Sequence, residues 1–440
     1  MKPQKQTLIH YLQSQGARTS QDIQAALKIS QPTASRLLAA MSDQVIALGS
    51  GRSTRYAVAH PIGNAAAQQP IWRIGEDGQA QRIGLLSFLA RSQIHIEAEG
   101  VNTLFEPSVQ AELPWYLSPL RAQGFLGRLL AQGLASYGLP PAPEKWDTHA
   151  VLLAALHTHD APGSLLLGDG SLKRSASPPL IPRNDPVAVL DAVSSDVAQT
   201  LPAGSSAGGE QAKFLAITES DEHILVKFSP PLGTPFGDRW SDLLYAEALC
   251  SEVLARHGHT VAPAQVVQTA SRIYLMSWRF DRMGRGGRMH VVALGAVHHA
   301  FVPGPYVHWS STCEALSRQG RLTAADAQSS AELLQFGRLI GNTDMHSGNA
   351  SVRVQGTTLA EMSKGKFQLA PVYDMLPMRW KPDPMLGLLD YEPFTPDGLL
   401  VSAQARAAAQ DFWVSLSGHP RVSVSLRQVA SAMATRMDGG

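Results

Sequence analysis

The chain has 440 residues, 44% of them hydrophobic and 17% charged, with a formal net charge of +1. That length exceeds what one core organises, so two or three domains are expected. An apolar run of about 18 residues is absent, the start lacks a signal-peptide pattern, and Cys250 and Cys313 are too few for a disulfide framework. Neither a transmembrane helix nor a disulfide framework is expected, and a cytoplasmic location is expected.

Residues 1–60 carry Lys2, Lys5, Arg18, Lys28, Arg36, Arg52 and Arg55 against Asp22 and Asp43 alone, while the remainder is slightly acidic. Leu8, Ile9 and Leu12 share one face of a first helix, which Gly16 ends. Ser20 is placed to cap a second helix with Ile23, Ala26 and Leu27 on one face. Ser30 is placed to cap a third, whose first turns carry Gln31, Thr33, Ser35 and Arg36. "VIALGSGRSTRYAVA" then reads as two short strands around a Gly-rich tip bearing Arg52 and Arg55. Short polar and basic side chains at a helix start suit base edges and phosphates. The expectation is a winged helix-turn-helix that binds DNA through residues 1–60, with a small protein-interaction domain as the alternative.

"HPIGNAAAQQP" is rich in Pro, Gly and Ala, and residues 61–70 are expected to be a linker. From residue 71 the pattern alternates short strands, as in "IWRIGEDGQAQRIGLLSF", with proline-broken helices. His157 and His159 stand two apart but have no partner at zinc-like spacing, so they are expected to be ordinary surface histidines. The region 71–235 is expected to be a small α+β lobe and 236–440 a mainly helical one. "ARAAAQDFWVSL" and "SLRQVASAMATRM" should be helices packed on the larger lobe.

Five segments bear on chemistry. "SSAGGEQAKFLAI" (205–217) runs a small-residue loop with Gly208 and Gly209 into a strand, a form that brings backbone N–H groups to phosphates, although the Walker spacing is missing. "EHILVKFSP" (222–230) sets Lys227 inside an apolar strand, where an isolated charge is costly. Glu247 follows 20 residues later on an amphipathic helix and is the candidate partner, with Glu252 weaker. "NTDMHSGN" (342–349) places Asp344 and Asn349 five apart, the Asp-to-Asn interval of a kinase catalytic loop. "KFQLAPVYDML" is a strand running into Asp374, a second hard-oxygen candidate for Mg²⁺. A capped turn would account for "NTDMHSGN" alone; it would not account for all five in kinase order.

These segments, with "MSWRFDR" (276–282), resemble the HipA-type toxin kinases of bacterial toxin–antitoxin systems, and within them the YjjJ/HipH-like subgroup that carries a DNA-binding module ahead of the kinase. The resemblance spans about 205–380. It implies an α+β fold, with the winged helix followed by a two-lobed protein-kinase-like body, and serine/threonine kinase activity with ATP and Mg²⁺. By motif, Asp344 resembles the catalytic aspartate, with His346 in the same loop, and Asn349 and Asp374 resemble the magnesium ligands. Lys227 resembles the nucleotide-phosphate lysine. Ser205 to Lys213, including Ser206, Gly208, Gly209, Gln211 and Lys213, resemble the nucleotide loop, in which Ser206, or alternatively Ser205, matches the autophosphorylated serine. Family members phosphorylate a protein substrate, a tRNA synthetase, and work with a separate antitoxin; the fused N-terminal unit puts the need for that antitoxin in question. Two other readings stay open: a small-molecule phosphotransferase of the aminoglycoside or choline kinase type, and a transcription regulator with a non-catalytic kinase-like sensor domain.

Overall fold

The structure is a computed structural model, and it describes residues 2–49, 51, 54–108, 112–174, 178–200, 211–396 and 401–438. Helices Lys2–Gln15, Ser20–Leu27 and Gln31–Ala39 pack with a three-stranded antiparallel sheet of Arg18–Thr19, Arg55–Val58 and Val45–Leu48. Leu8, Leu12, Ile23, Leu37, Leu38 and Met41 form its small core. Gly16 ends the first helix at φ +76°, its N–H reaching the Leu12 carbonyl. The second helix starts one residue earlier than expected. Thr19, not Ser20, is the cap: its Oγ1 accepts from the Asp22 N–H at 3.2 Å while Asp22 accepts the Thr19 N–H at 3.0 Å. Asp22 supplies the reciprocal half of this box, and that fixes which of two adjacent hydroxyls caps. Ser30 does stand at the third helix's N-cap, but its hydroxyl bonds the Thr33 hydroxyl at 3.0 Å and no backbone N–H.

Residues 61–70 are not a free tether. Ile62 is buried, the His60 N–H bonds the Phe88 carbonyl, and strand Gln68–Ile74 has already begun. Ala17, Leu48, Ala57 and Leu89 share a small apolar cluster that docks the N-terminal unit on the next domain. Composition marked a break in periodicity here, but apolar Ile62 and the strand-forming residues up to Pro70 had a surface to join.

That next domain is a five-stranded antiparallel sheet, ordered Val101–Phe105, Ile94–Ala98, Ala80–Phe88, Gln68–Ile74, Leu165–Leu167. Its hairpin from Ile74 to Ala80 pairs with a kink between Ile71 and Trp72. A second five-stranded sheet follows, ordered Ala264–Gln268, Ile273–Trp278, His223–Phe228, Lys213–Thr218, Leu180–Ile181. A lobe boundary at 235 is therefore too early, because strands 264–268 and 273–278 complete this sheet on the far side of the long helix Pro235–Arg256. Lys227 lies on its central strand. The long helix begins at a Thr234 cap and Pro235, and buries Leu243, Leu244, Ala246, Cys250, Val253 and Leu254.

The C-terminal lobe is mainly helical, with Ala324–Leu339, Ala403–Ser417 and Val424–Asp438 packed around Phe336, Phe412, Trp413 and Leu416. A three-stranded sheet, Val291–Ala293, Ser351–Val354 and Phe367–Leu369, stands in its midst. One continuous core joins the first five-stranded sheet to this lobe. Among the described residues, no helix is long and apolar enough to cross a membrane.

His290 is buried where the domains meet. Its Nε2 donates to the Tyr116 carbonyl at 2.9 Å, and its Nδ1 accepts from the Ser164 N–H at 3.3 Å. Burial holds its pKa down at about 4, below the ordinary value near 6.5. A depressed pKa contributes stability fully above about pH 6.5, and that contribution is lost as pH falls toward 4, since protonation favours the unfolded chain. The limit is about 3 kcal/mol. His290→Gln should therefore flatten the acid limb of a plot of unfolding midpoint against pH between about 6.5 and 4; an unchanged limb would show that other groups control it.

Candidate active site

The small three-stranded sheet positions both acidic loops. Strand Ser351–Val354 emerges directly from the Asp344–Asn349 loop, and strand Phe367–Leu369 leads into Asp374. Tyr373 braces the two: its hydroxyl donates to the Gly348 carbonyl at 2.9 Å and accepts from Ser351 Oγ at 2.7 Å. Asn342 ties the loop from the other side, its Oδ1 accepting from the Asp344 N–H at 3.0 Å and its amide lying 3.4 Å from Met375 Sδ. Trp309 Nε1 donates to the His346 carbonyl at 2.9 Å. Gly295 packs so closely under the loop that a Cβ there would sit 2.5 Å from Ser347 Oγ.

Lys227, Glu247 and Asp374 meet from three elements. Lys227 Nζ donates to Glu247 Oε1 at 2.5 Å and to Asp374 Oδ1. Burial by itself would depress the Lys227 pKa, but Asp374 and Glu247 outweigh it and hold the ammonium charged. Burial raises the Glu247 pKa against the pull of Lys227. Asp374 is held below the ordinary carboxylate value because Lys227 and Lys213 overcome its burial. Glu252 is exposed on the same helix and plays no part.

Lys213 and Lys227 stand directly opposite in adjacent antiparallel strands. Like charges in such a pair repel, and burial, with Lys227 beside it, lowers the Lys213 pKa, partly offset by Asp374. The two lysines and the two carboxylates balance in charge, and Lys213 forms none of the ion pairs that Lys227 forms. Next to them, Gln211 Nε2 is buried without a hydrogen-bond partner, a donor of the kind a phosphate would satisfy. Asp374 has a left-handed φ of +53°, uncommon outside glycine and shared here by Lys28, Arg91, Ser92 and Asp221.

In the other loop, Asn349 Nδ2 donates to the Asp344 carbonyl at 2.8 Å, leaving Oδ1 to face elsewhere. The Asp344 carboxylate is nearly half exposed. His346 is more exposed still; its Nδ1 accepts from the Gly348 N–H at 3.0 Å and its Nε2 lies 4.0 Å from Asp344 Oδ1. In this structure His346 shapes the turn. A groove of about 490 Å³ opens beside Asp344, lined by His308, Arg338, Arg379 and Phe394 among others. Among the described residues, no group of three His, Cys, Asp or Glu side chains is set to hold a metal. Asp374 and the Asn349 oxygen nevertheless offer hard oxygens of the kind Mg²⁺ takes when substrate phosphates and water complete its shell.

Lys213, Lys227, Glu247 and Asp374 are thus brought together, with Asp344, His346 and Asn349 in the adjoining loop and Gln211 at the edge. Ser205, Ser206, Gly208, Gly209 and Arg52 lie outside the described residues. Gln31, Ser35, Arg36 and Arg55 are exposed on the N-terminal unit, while Thr33 is half-buried. Reading along the chain missed Asn342, Tyr373 and Trp309. Asn342 and Tyr373 adjoin acidic residues already singled out and could have been suspected; Trp309 comes from a distant helix with no local signal. Of the "RFDR" residues, Phe280 packs on the Tyr373 ring at 5.5 Å between centroids, whereas the three charged ones do not enter the site. Arg279 and Arg282 clasp Asp160 and Asp281, and Asp281 accepts the Gly163 N–H at 2.9 Å, so they lock the first five-stranded sheet's domain to the second sheet. His157 and His159 bond Arg174 and the Ser171 carbonyl and form no metal cluster.

Residues 205–437 match the family of the HipA-like C-terminal domain, and residues 65–176 match the middle domain of YjjJ-like toxins. Toxin YjjJ of Escherichia coli (strain K12) is 34% identical over 434 residues, covering 95% of this chain and 94% of the relative. HipA of Shewanella oneidensis MR-1, from a toxin–antitoxin complex of HipA, HipB and operator DNA, has the same fold at a TM-score of 0.54 and 16% identity, covering 84% of this chain and 95% of that one. Fold and site define a HipA-type body. The chain belongs to the HipA-type toxin family, in its YjjJ-like branch.

Proposed function

We propose that the chain is an ATP- and Mg²⁺-dependent serine/threonine protein kinase, the toxin of a toxin–antitoxin system, with a fused winged helix-turn-helix. The observation that carries this is the buried Lys227 held between Glu247 and Asp374, beside a loop that presents Asp344 and Asn349. Lys227 and Lys213 would hold the nucleotide phosphates, and Glu247 keeps Lys227 charged and oriented. Asp374 and Asn349 would hold Mg²⁺, which when bound neutralises charge on the transferred group. Asp344 orients the acceptor hydroxyl and takes its proton. The groove at Arg338 and Arg379 would receive the acceptor. Incubation with γ-labelled ATP and a cell lysate tests this: a labelled protein band supports it, whereas label only in small molecules points to the small-molecule phosphotransferase, and bound but untransferred ATP to the sensor.

Autophosphorylation of Ser206 or Ser205 belongs to the same reading. A phosphate there adds roughly −1.5 to −2 charges close to the nucleotide phosphates, so the modified protein should bind ATP more weakly. Mass spectrometry after incubation with Mg²⁺–ATP should find phosphate on one of these serines in wild type and none in Asp344→Asn. Unaltered ATP turnover by the phosphorylated form would remove the switch.

Residues 1–60 would bind DNA. Gln31, Ser35 and Arg36 are exposed on helix Gln31–Ala39, which buries Ala34, Leu37 and Leu38. That HipA of Shewanella oneidensis occurs with operator DNA and HipB supports DNA and an antitoxin as partners. Affinity of the full chain for a duplex should fall steeply with salt, and Arg36→Ala or Arg55→Ala should each reduce the slope by about one. Salt-independent or absent binding would favour a protein-interaction role.

A further inference from the structure

A second cavity, of about 670 Å³, lies away from the catalytic loop, between the first five-stranded sheet's domain and the turn end of the strand pair that carries Lys213 and Lys227. Its volume falls in the range of small-molecule sites. Part of its wall is apolar, with Ile74, Leu172, Leu180 and Ile217; the rest carries Arg282, Arg285, Arg288, His159 and His223 together with the acids Asp160, Glu219 and Asp221. Neither part is loose. The Arg288 N–H bonds the Gly75 carbonyl at 2.9 Å, and a Cβ on Gly287 would sit 2.1 Å from the Glu76 carbonyl oxygen, so backbone meets backbone at the cavity edge.

Charges around the cavity balance in number, but Arg288 is left without a carboxylate of its own. Arg279, Arg282 and Arg288 are held within this junction, and the carboxylates bonded there, Asp160 and Asp281, are both taken by Arg279 and Arg282. Arg288 is 4% exposed, and its Nη2 bonds only a neutral acceptor, the His159 carbonyl at 2.9 Å. Arg288 Nη1 and Arg282 Nε are buried with no hydrogen-bond partner. Arg285 is almost fully exposed at the mouth and stands 4.0 Å from Asp221. Glu219, also in the lining, accepts the Arg183 N–H at 3.0 Å. Burying a guanidinium without a counter-charge is costly, and burial next to Arg282 accordingly lowers the Arg288 pKa to about 9.

We propose that this cavity is a binding site for a phosphate-bearing small molecule, with Arg288 and Arg285 receiving the phosphate and the apolar wall of Ile74, Leu180 and Ile217 covering the rest of the ligand. Guanidinium groups match phosphate oxygens in pairs, and an apolar wall nearby suits the flat ring of a nucleotide. The site is separate from the kinase cleft: strand pairing runs from Lys213 opposite Lys227 at one end to Ile217 opposite His223 at the other, roughly 13 Å of strand at about 3.3 Å per residue.

The test uses the full chain with its kinase cleft saturated by Mg²⁺ and a non-hydrolysable ATP analogue. Inorganic pyrophosphate and, separately, adenosine diphosphate are then titrated calorimetrically. One further equivalent should bind; tighter binding of the diphosphate identifies a nucleotide, and equal binding identifies a free polyphosphate. Arg285→Ala, at an exposed position that leaves the core untouched, and Arg288→Gln should each weaken this binding at least about tenfold while leaving the analogue's affinity unchanged. If Arg288→Gln does not fold, Arg285→Ala decides. No further binding at millimolar probe, or binding equal in wild type and Arg285→Ala, would overturn the proposal and leave water as the partner of Arg288.

Discussion

Replacing Lys227 by methionine is expected to remove nucleotide binding and to destabilise the fold by about 3–5 kcal/mol. Among the described residues, the ammonium is the charge-assisted partner of Glu247 Oε1, and the other oxygen, Oε2, is already buried without a hydrogen bond. Removing the lysine leaves Glu247 and Asp374 with unbalanced negative charge in a buried setting, and Glu247 would then protonate rather than stay ionised. Methionine matches the length of the stem, so the loss reports charge more than volume. Chemical denaturation should show a lower midpoint with an unchanged slope, and the double variant Lys227→Met with Glu247→Gln should recover part of the loss, because the stranded carboxylate is gone. Equal stability of wild type and Lys227→Met would mean that the triad contributes nothing to the fold.

Asp344→Asn is the complementary case, with the effect confined to chemistry. Transfer to protein should fall by roughly 10²–10⁴-fold, while the melting temperature and Mg²⁺–ATP affinity stay close to wild type. The Asp344 side chain is nearly half exposed and forms no buried ion pair, and the amide is isosteric with the carboxylate. What is lost is the acceptor for the hydroxyl proton. Wild-type labelling rates in this variant would remove Asp344 from the mechanism. Asp374→Ala should differ in kind, weakening Mg²⁺-dependent nucleotide binding itself, since it deletes a partner of Lys227 and, on the proposed reading, a hard-oxygen ligand.

The family was legible along the chain because its signals are short and local. An Asp and an Asn five apart, a lysine inside an apolar strand and an aspartate at a strand end are each visible in a window of ten residues, and their order identified the family. The strand and helix that carry Lys227 and Glu247 were legible for the same reason, since periodicity is local. Three-dimensional closure was not. Whether Glu247 or Glu252 meets Lys227 depends on which helix face turns inward, and Asn342, Tyr373 and Trp309 join the loops only through contacts between segments distant in sequence. The linker over 61–70 and the lobe boundary at 235 failed on the same ground: sheet membership is decided by hydrogen bonds to strands elsewhere in the chain, and Gln68–Ile74 and Ala264–Trp278 found theirs across such distances. Local pattern by itself determined most of the elements and the side chains that meet in the candidate site. Tertiary packing alone decided which buried charges find a partner, satisfying Lys227 with Glu247 and Asp374 and leaving Arg288 without a carboxylate, because desolvation acts only once the walls have closed.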